Sequence, residues 1–178
     1  MDTEQIRFYL NKLSEILSTR GVQGEIVIYG GAAMVLVLKA RPSTKDVDAI
    51  FAPKEIIYQA AKEIENLHGA PENWLNDAVK GFIGSGERHK PFWDFPNLKV
   101  YTAIPEYLLA MKCISLRLGR GDTDLGDIRF LIAHLGLKSA TEVFDLVEKY
   151  YPRNKISPKT QFAVEEIFET LKELPQKG

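Results

Sequence analysis

A glycine pair, Gly30-Gly31, joins two apolar runs of different character, and this junction constrains the fold more than any other feature of the chain. The run before it, residues 25–29, is rich in β-branched and aromatic residues, which favour a strand. The run after it, residues 32–38, is apolar on every side, as a buried helix would be. The sequence therefore predicts a strand, a glycine turn and a buried helix in succession.

A second short motif, Asp46-Val47-Asp48, opens an alternating segment at residues 46–51. The preceding helix stops at Arg41-Pro42, because proline disfavours helical geometry in the residue before it. Alternation then predicts a second strand whose two aspartates lie on one face. Two carboxylates together suit a divalent cation, and glycines at a helix start let backbone N–H groups approach a triphosphate. One strand–turn–helix–strand unit can therefore supply a metal–nucleotide site.

This arrangement resembles the nucleotidyltransferase superfamily related to DNA polymerase β, which shares a Gly-Gly or Gly-Ser turn followed by Asp-hydrophobic-Asp. The matching positions are Gly30, Gly31, Asp46 and Asp48. The resemblance implies an α/β (α+β) chain, with a nucleotidyltransferase-fold core around a small mixed sheet and a C-terminal helical bundle. The seam is expected near Pro105, which gives a core at residues 1–104 and a helical part at 105–178 packed on it.

A second block narrows the resemblance. Lys112 lies in an apolar helical segment, and residues 124–131 read Asp-Leu-Gly-Asp-Ile-Arg-Phe-Leu, with Arg117 and Arg120 between them. Together the two blocks look like the AbiEii-type branch, which includes the MenT toxins. In that branch a helical lysine and a downstream aspartate in an Asp-x-x-Asp-Ile context complete the site, which implies roles for Lys112 and Asp127.

The resemblance implies a Mg²⁺-dependent enzyme that moves a nucleoside monophosphate from a nucleoside triphosphate to an acceptor. Likeness to the MenT toxins suggests RNA as the acceptor, at the 3′ end of tRNA, and a cognate antitoxin protein as partner. One or two Mg²⁺ ions are expected, and Asp127 would bind the second or act as a base. The residues carried over are Asp46, Asp48, Lys112 and Asp127 as catalytic groups, Gly30, Gly31, Thr44 and Lys112 as nucleotide contacts, and Asp46, Asp48 and Asp127 as metal ligands.

Structural explanations stand beside these roles. The aspartate pair and the glycine pair are also common turn and strand-edge residues. Lys112, on a stripe with Leu108 and Leu116, can extend its ammonium to solvent. Acidic residues near a helix start are favoured by the helix dipole, which alone accounts for Asp124 and leaves Asp127 as the stronger candidate.

One departure from the superfamily bears on activity. Many of its enzymes place a third carboxylate on a later strand, whereas the corresponding segment, residues 98–103, contains no acid. Either Asp127 substitutes for it, with Asp94 a weaker substitute, or catalysis is weakened or lost. The alternative function is therefore a catalytically silent nucleotide-binding or protein-interaction module with the same fold.

Composition sets the outer limits. The 178 residues are 45% hydrophobic, enough for one good core, and the net charge of −1 excludes a generally basic nucleic-acid binder. No apolar run approaches the length that spans a bilayer, and the acidic start does not read as a signal peptide, so a cytoplasmic protein with no membrane partner is expected. Cys113 is the only cysteine, which excludes an intramolecular disulfide.

Overall fold

The computed structural model describes residues 1–116 and 123–173, with the side chains of residues 171–173 left aside. Arg117 and Arg120 lie outside the described residues. The chain divides into two compact units, the first formed by residues 1–81 and 88–104 and the second by residues 82–87 and 105–178. The elements are α1 (Thr3–Thr19), β1 (Gly24–Ile28), α2 (Gly30–Leu36), β2 (Val47–Ala52), α3 (Lys54–His68), β3 (Leu75–Asn76), β4 (His89–Phe95), β5 (Leu98–Ala103), α4 (Pro105–Ser115), α5 (Thr123–His134), α6 (Ala140–Glu148) and α7 (Pro158–Glu173).

The first unit is built on a five-stranded mixed sheet of order β3-β2-β1-β5-β4. Strand β1 runs antiparallel to β2 and parallel to β5, while β3 runs parallel to β2 and β4 antiparallel to β5. With helices before, between and after the strands, the protein has the mixed α/β (α+β) architecture that the sequence predicts.

Helix α1 shows how periodicity places the core of this unit. Asp2 caps its first turn in a reciprocal arrangement with Gln5, so the helix begins where the apolar stripe begins. Ile6, Leu10 and Leu13 on that stripe are fully buried. The stripe packs against α3 and β5, so these helices lie on one face of the sheet.

The glycine junction forms as predicted, with its boundaries shifted. Helix α2 begins at Gly30, two residues before the predicted start, because a positive φ of 56° at that glycine turns the chain straight out of β1. Its apolar residues from Ala32 onward are buried, and it ends at Leu36. Strand β2 starts at Val47, so Asp46 stands just before the strand rather than inside it.

In the second unit, the short segment 82–87 is held by tyrosine side chains. Tyr107 Oη accepts a hydrogen bond from the Gly84 N–H at 2.9 Å, and Tyr151 Oη donates to the Phe82 carbonyl at 2.6 Å. A Cβ at Gly84 would lie 2.6 Å from the Tyr150 carbonyl oxygen, so only glycine fits there.

The helices of this unit bury the single thiol. Helix α4 packs against α5 and α6. Cys113 on α4 is fully buried, and this burial raises the pKa of its thiol to about 12. A search of the described helices for a segment both long and apolar enough to cross a membrane finds none.

Two buried hydroxyls of the first unit make a matched test of how polar groups affect its stability. Thr102 Oγ1 on β5 is fully buried without a hydrogen-bond partner among the described residues, whereas Ser14 Oγ accepts the Asn97 N–H at 3.0 Å. We expect Thr102→Val to leave the free energy of unfolding unchanged or to raise it by about 1 kcal/mol, since the desolvation penalty is removed. Ser14→Ala should lower it by about 1 to 3 kcal/mol, because the Asn97 N–H loses its acceptor. Urea denaturation measures both, and a loss of more than about 1 kcal/mol in Thr102→Val would contradict this account.

Candidate nucleotide and metal site

The Asp48 side chain lies directly against the glycine turn. The main-chain oxygen of Asp48 accepts a hydrogen bond from the Tyr29 N–H at 2.9 Å, which fixes the end of β1 beside the start of β2. A Cβ at Gly30 would stand 2.8 Å from Asp48 Oδ2. Position 30 therefore requires glycine twice, once for its positive φ and once for this close approach.

The second glycine makes room for two polar side chains. A Cβ at Gly31 would collide with the Arg41 guanidinium and would lie 2.6 Å from Thr44 Oγ1. Thr44 Oγ1 in turn donates to the Asp46 main-chain oxygen at 3.2 Å. The structure thus brings Thr44 to the glycine turn and adds Arg41, which sequence reasoning used only to end a helix.

Asp46 is held from a separate strand. Its Oδ2 accepts a hydrogen bond from Asn76 Nδ2 at 3.3 Å. Asp46 and Asp48 are both half-buried, while Val47 between them is fully buried, which agrees with the predicted shared face. Asn76 was missed because nothing in its local sequence links it to a residue thirty positions earlier.

A second group of predicted residues forms in the second unit. Lys112 on α4 is buried, with its Nζ 2.6 Å from Asp124 Oδ1 and 2.8 Å from Asp127 Oδ2. The ammonium therefore does not extend to solvent. Asp124, which the helix dipole alone seemed to explain, is a direct partner of Lys112, so sequence reasoning underrated it.

The chemistry of this cluster follows from its charges. One cation faces two carboxylates, and the side chain of Asp127 is only 6% exposed against 35% for Asp124. Buried charged groups are costly unless they are paired, so each ion pair here helps to hold both side chains in place. An ammonium has three N–H donors, of which the two ion pairs engage two.

The predicted site residues thus fall into two groups, one in each compact unit. Asp46 and Asp48 join the glycine turn and Thr44 in the first, and Lys112 joins Asp127 in the second. Within the described ranges, no group of three or more His, Cys, Asp or Glu side chains is arranged to hold a metal ion. The Asp46 and Asp48 pair nonetheless fits Mg²⁺, which commonly takes one or two protein carboxylates and completes its shell with water and substrate phosphates.

The family of the chain is shown by comparison with known proteins. A family described as nucleotidyltransferase of unknown function (DUF6036) matches residues 8–172. The chain belongs to this family. The matched region includes both groups of predicted residues, the glycine turn with the aspartate pair and the lysine cluster. No curated protein and no solved structure matches the chain.

Replacing Gly30 by alanine tests the turn. We expect Gly30→Ala to lower the free energy of unfolding by about 1 to 3 kcal/mol, because alanine tolerates the positive φ poorly and its methyl group meets the Asp48 carboxylate. Gly126 on α5 is the matched control, since a Cβ there meets nothing within 4 Å. Gly126→Ala should raise stability by about 0.5 to 1 kcal/mol through helix propensity. Chemical denaturation distinguishes the two, and equal effects would contradict the close approach at position 30.

A double-mutant cycle tests the buried ion pair. We expect Lys112→Met and Asp127→Asn to show a coupling energy of about 1 to 3 kcal/mol, since Lys112→Met leaves the buried Asp127 without its cation and Asp127→Asn leaves Lys112 with Asp124 as its remaining ion-pair partner. The exposed pair Lys12 and Glu15, with Nζ and Oε2 2.7 Å apart, is the control and should couple by about 0.2 to 1 kcal/mol. A coupling between Lys112 and Asp127 no larger than the control would show that burial adds nothing to their interaction.

Proposed function

We propose that this protein is a Mg²⁺-dependent nucleotidyltransferase, which moves a nucleoside monophosphate from a nucleoside triphosphate to an acceptor. Membership of the nucleotidyltransferase family supports the reaction class. The observation that carries the proposal is the Asp48 carboxylate lying against the Gly30 turn, with Asp46 just before the start of the same strand. This geometry supports a cation held by the carboxylates beside a phosphate held by the backbone of the turn.

The phosphate side of the site combines backbone and cationic groups. Gly30 and Gly31 would let the β- and γ-phosphates approach the main chain, where N–H donors at the start of α2 favour anions. The Arg41 guanidinium, against Gly31, would donate to phosphate oxygens, and Thr44, whose hydroxyl donates to the Asp46 main-chain oxygen, would line the same turn. For Lys112 we carry over a nucleotide contact from the resemblance.

The aspartate carboxylates would bind metal ions and help to activate the acceptor. Asp46 and Asp48 would hold one or two Mg²⁺ ions, which, when bound, neutralise phosphate charge and lower the pKa of an acceptor hydroxyl. On the resemblance, Asp127 would bind a metal ion or take the acceptor proton. Lys112 would orient the Asp127 carboxylate for either role, since their nitrogen and oxygen are 2.8 Å apart.

For the acceptor we propose RNA, at the 3′ end of tRNA, with the protein acting as the toxin of a toxin–antitoxin pair. Support comes from the resemblance of the two sequence blocks to the AbiEii and MenT branch. Asp124 and Asp127 both contact Lys112, so the Asp-x-x-Asp-Ile segment and the helical lysine of that resemblance form one cluster.

The second candidate function is a catalytically silent nucleotide-binding or protein-interaction module. It is favoured by β5, which carries no acid, and by the lack of a three-carboxylate group among the described residues. It is opposed by the presence together of the two glycines, the aspartates and the lysine, for which a module without catalysis has no evident need. Buried charges in particular lower stability unless they are paired.

Incubation with each α-labelled nucleoside triphosphate, Mg²⁺ and total tRNA tests both candidates. We expect label on tRNA with the unmodified protein, and a loss of about 100-fold or more in Asp46→Asn and in Asp48→Asn, because cation binding supplies several kcal/mol of transition-state stabilisation. Glu25→Gln is the control, since Glu25 is an exposed carboxylate on β1 and should leave the rate unchanged.

The other outcomes separate the alternatives. Label on the protein itself would replace tRNA by a protein acceptor. Full activity in both aspartate variants would overturn the proposed mechanism. Triphosphate binding by calorimetry, with no label on any acceptor, would favour the silent module.

A further inference from the structure

Asn76 donates a hydrogen bond to a carboxylate oxygen of the aspartate pair, and it comes from β3 at the edge of the sheet. Its Nδ2 lies 3.3 Å from Asp46 Oδ2. We propose that Asn76 is a positioning residue, which orients the Asp46 carboxylate for cation binding. The proposal rests on the proposed function, because it assigns a role within the same site.

The direction of the Asn76 amide is set by its other end. Asn76 Oδ1 accepts the Ala78 N–H at 3.0 Å, which only an oxygen can do, so the NH₂ group must face Asp46. The amide thus presents a donor to an acceptor that is ionised when it binds a cation. A carboxylate has about four lone-pair positions, so this hydrogen bond leaves capacity for a cation.

The strand that carries Asn76 is anchored on both sides. Before it, Trp74 is fully buried, donates its Nε1–H to the Ala61 carbonyl at 3.2 Å, and accepts the Val47 N–H at 2.6 Å. After it, Asp77 accepts from Tyr58 Oη at 3.0 Å and pairs with Lys54 Nζ at 2.6 Å. A two-residue strand has little stability of its own, so these contacts fix the place of Asn76.

The register of β3 makes the placement specific. Asn76 pairs with Asp48 across the parallel ladder, and Leu75 pairs with Val47. The Asn76 backbone is thus level with Asp48, and its amide reaches back to the Asp46 carboxylate two residues earlier. Hydrogen-bonding partners of metal ligands orient them, and their loss costs about 10- to 100-fold in metal affinity or activity.

A purely structural role makes a different prediction. If Asn76 served only to accept the Ala78 N–H in a turn, any side chain with an oxygen near the backbone would replace it. Serine supplies such an oxygen and is too short to reach Asp46. Asn76→Ser therefore separates the turn from the contact with the carboxylate.

The experiment is calorimetric titration of the full chain with Mn²⁺, used as the probe in place of Mg²⁺, beside thermal unfolding. We expect Asn76→Ser to unfold near the temperature of the unmodified protein and to bind Mn²⁺ about 10- to 100-fold more weakly. Raising the Mn²⁺ concentration should restore its nucleotidyl transfer rate, and should not restore that of Asp46→Asn. Asn66→Ser, at an exposed position on α3, is the matched control and should bind as the unmodified protein does.

Asn76→Asp keeps the proposal testable if the serine variant does not fold. It retains the shape and the acceptor for Ala78 but sets a second carboxylate against Asp46. We expect it to be less stable than the unmodified protein without metal and to gain more unfolding temperature on addition of Mn²⁺. A Mn²⁺-dependent shift equal to that of the unmodified protein, or unchanged Mn²⁺ affinity in Asn76→Ser, would overturn the role of Asn76.

The Mn²⁺ titration distinguishes failure of the proposed function from failure of the positioning role of Asn76. If Asp46→Asn binds Mn²⁺ as the unmodified protein does, the metal site itself is wrong, and with it the proposed function. If Asp46→Asn loses Mn²⁺ while Asn76→Ser keeps it, the metal site stands and only the positioning role is lost.

Discussion

The close approach of Gly30 to Asp48 is the constraint on which the first unit depends. The Tyr29 N–H bonds to the Asp48 carbonyl, so β1 and β2 stay paired to the point where the chain turns into α2. The turn needs a positive φ and no side chain, and it leaves the backbone of α2 beginning beside a carboxylate. A phosphate bound there alone would be repelled by the Asp48 carboxylate, and the proposed Mg²⁺ ion would offset that repulsion.

Among the described residues of the second unit, the buried charged side chains are Lys112 and Asp127. Enclosing ions costs several kcal/mol, which their ion pairs offset only in part. A hydrophobic substitute of similar volume would give α4 and α5 an equally good interface. The burial of these charges therefore supports the chemical role proposed for Lys112 and Asp127.

Local sequence patterns predicted the main helices and strands and the aspartate pair of the candidate site. The apolar period of α1, the β-branched run of β1 and the alternation after Asp46 are each set by neighbours in sequence, so they could be read without the fold. The expectation that Asp46 and Asp48 share a face came from strand alternation, although Asp46 itself lies just before β2. The start of α2 was misplaced by two residues because the pattern marks where burial begins, not where the left-handed glycine turns the chain.

The partners of the site residues could not be predicted in this way. Asn76 reaches Asp46 across the edge of the sheet, and Asp124 reaches Lys112 from the next helix, so both contacts depend on tertiary packing. Asp124 was discounted because its position near a helix start offered a sufficient local explanation, and a local explanation does not exclude a distant contact. β3 has two residues and no pattern of its own, and it exists because Trp74 is buried before it.

The aspartate pair itself combines rigidity with access. Val47 and Ala49 are fully buried and tie the backbone of β2 to the core, while the carboxylates between and beside them remain half-exposed. A cation site needs fixed oxygens, and it also needs water and substrate to reach them. Strand alternation meets both needs at once, because each residue that anchors the backbone directs its neighbour to the opposite face. The start of a core strand is therefore a physically suitable place for a pair of carboxylates that would hold a cation.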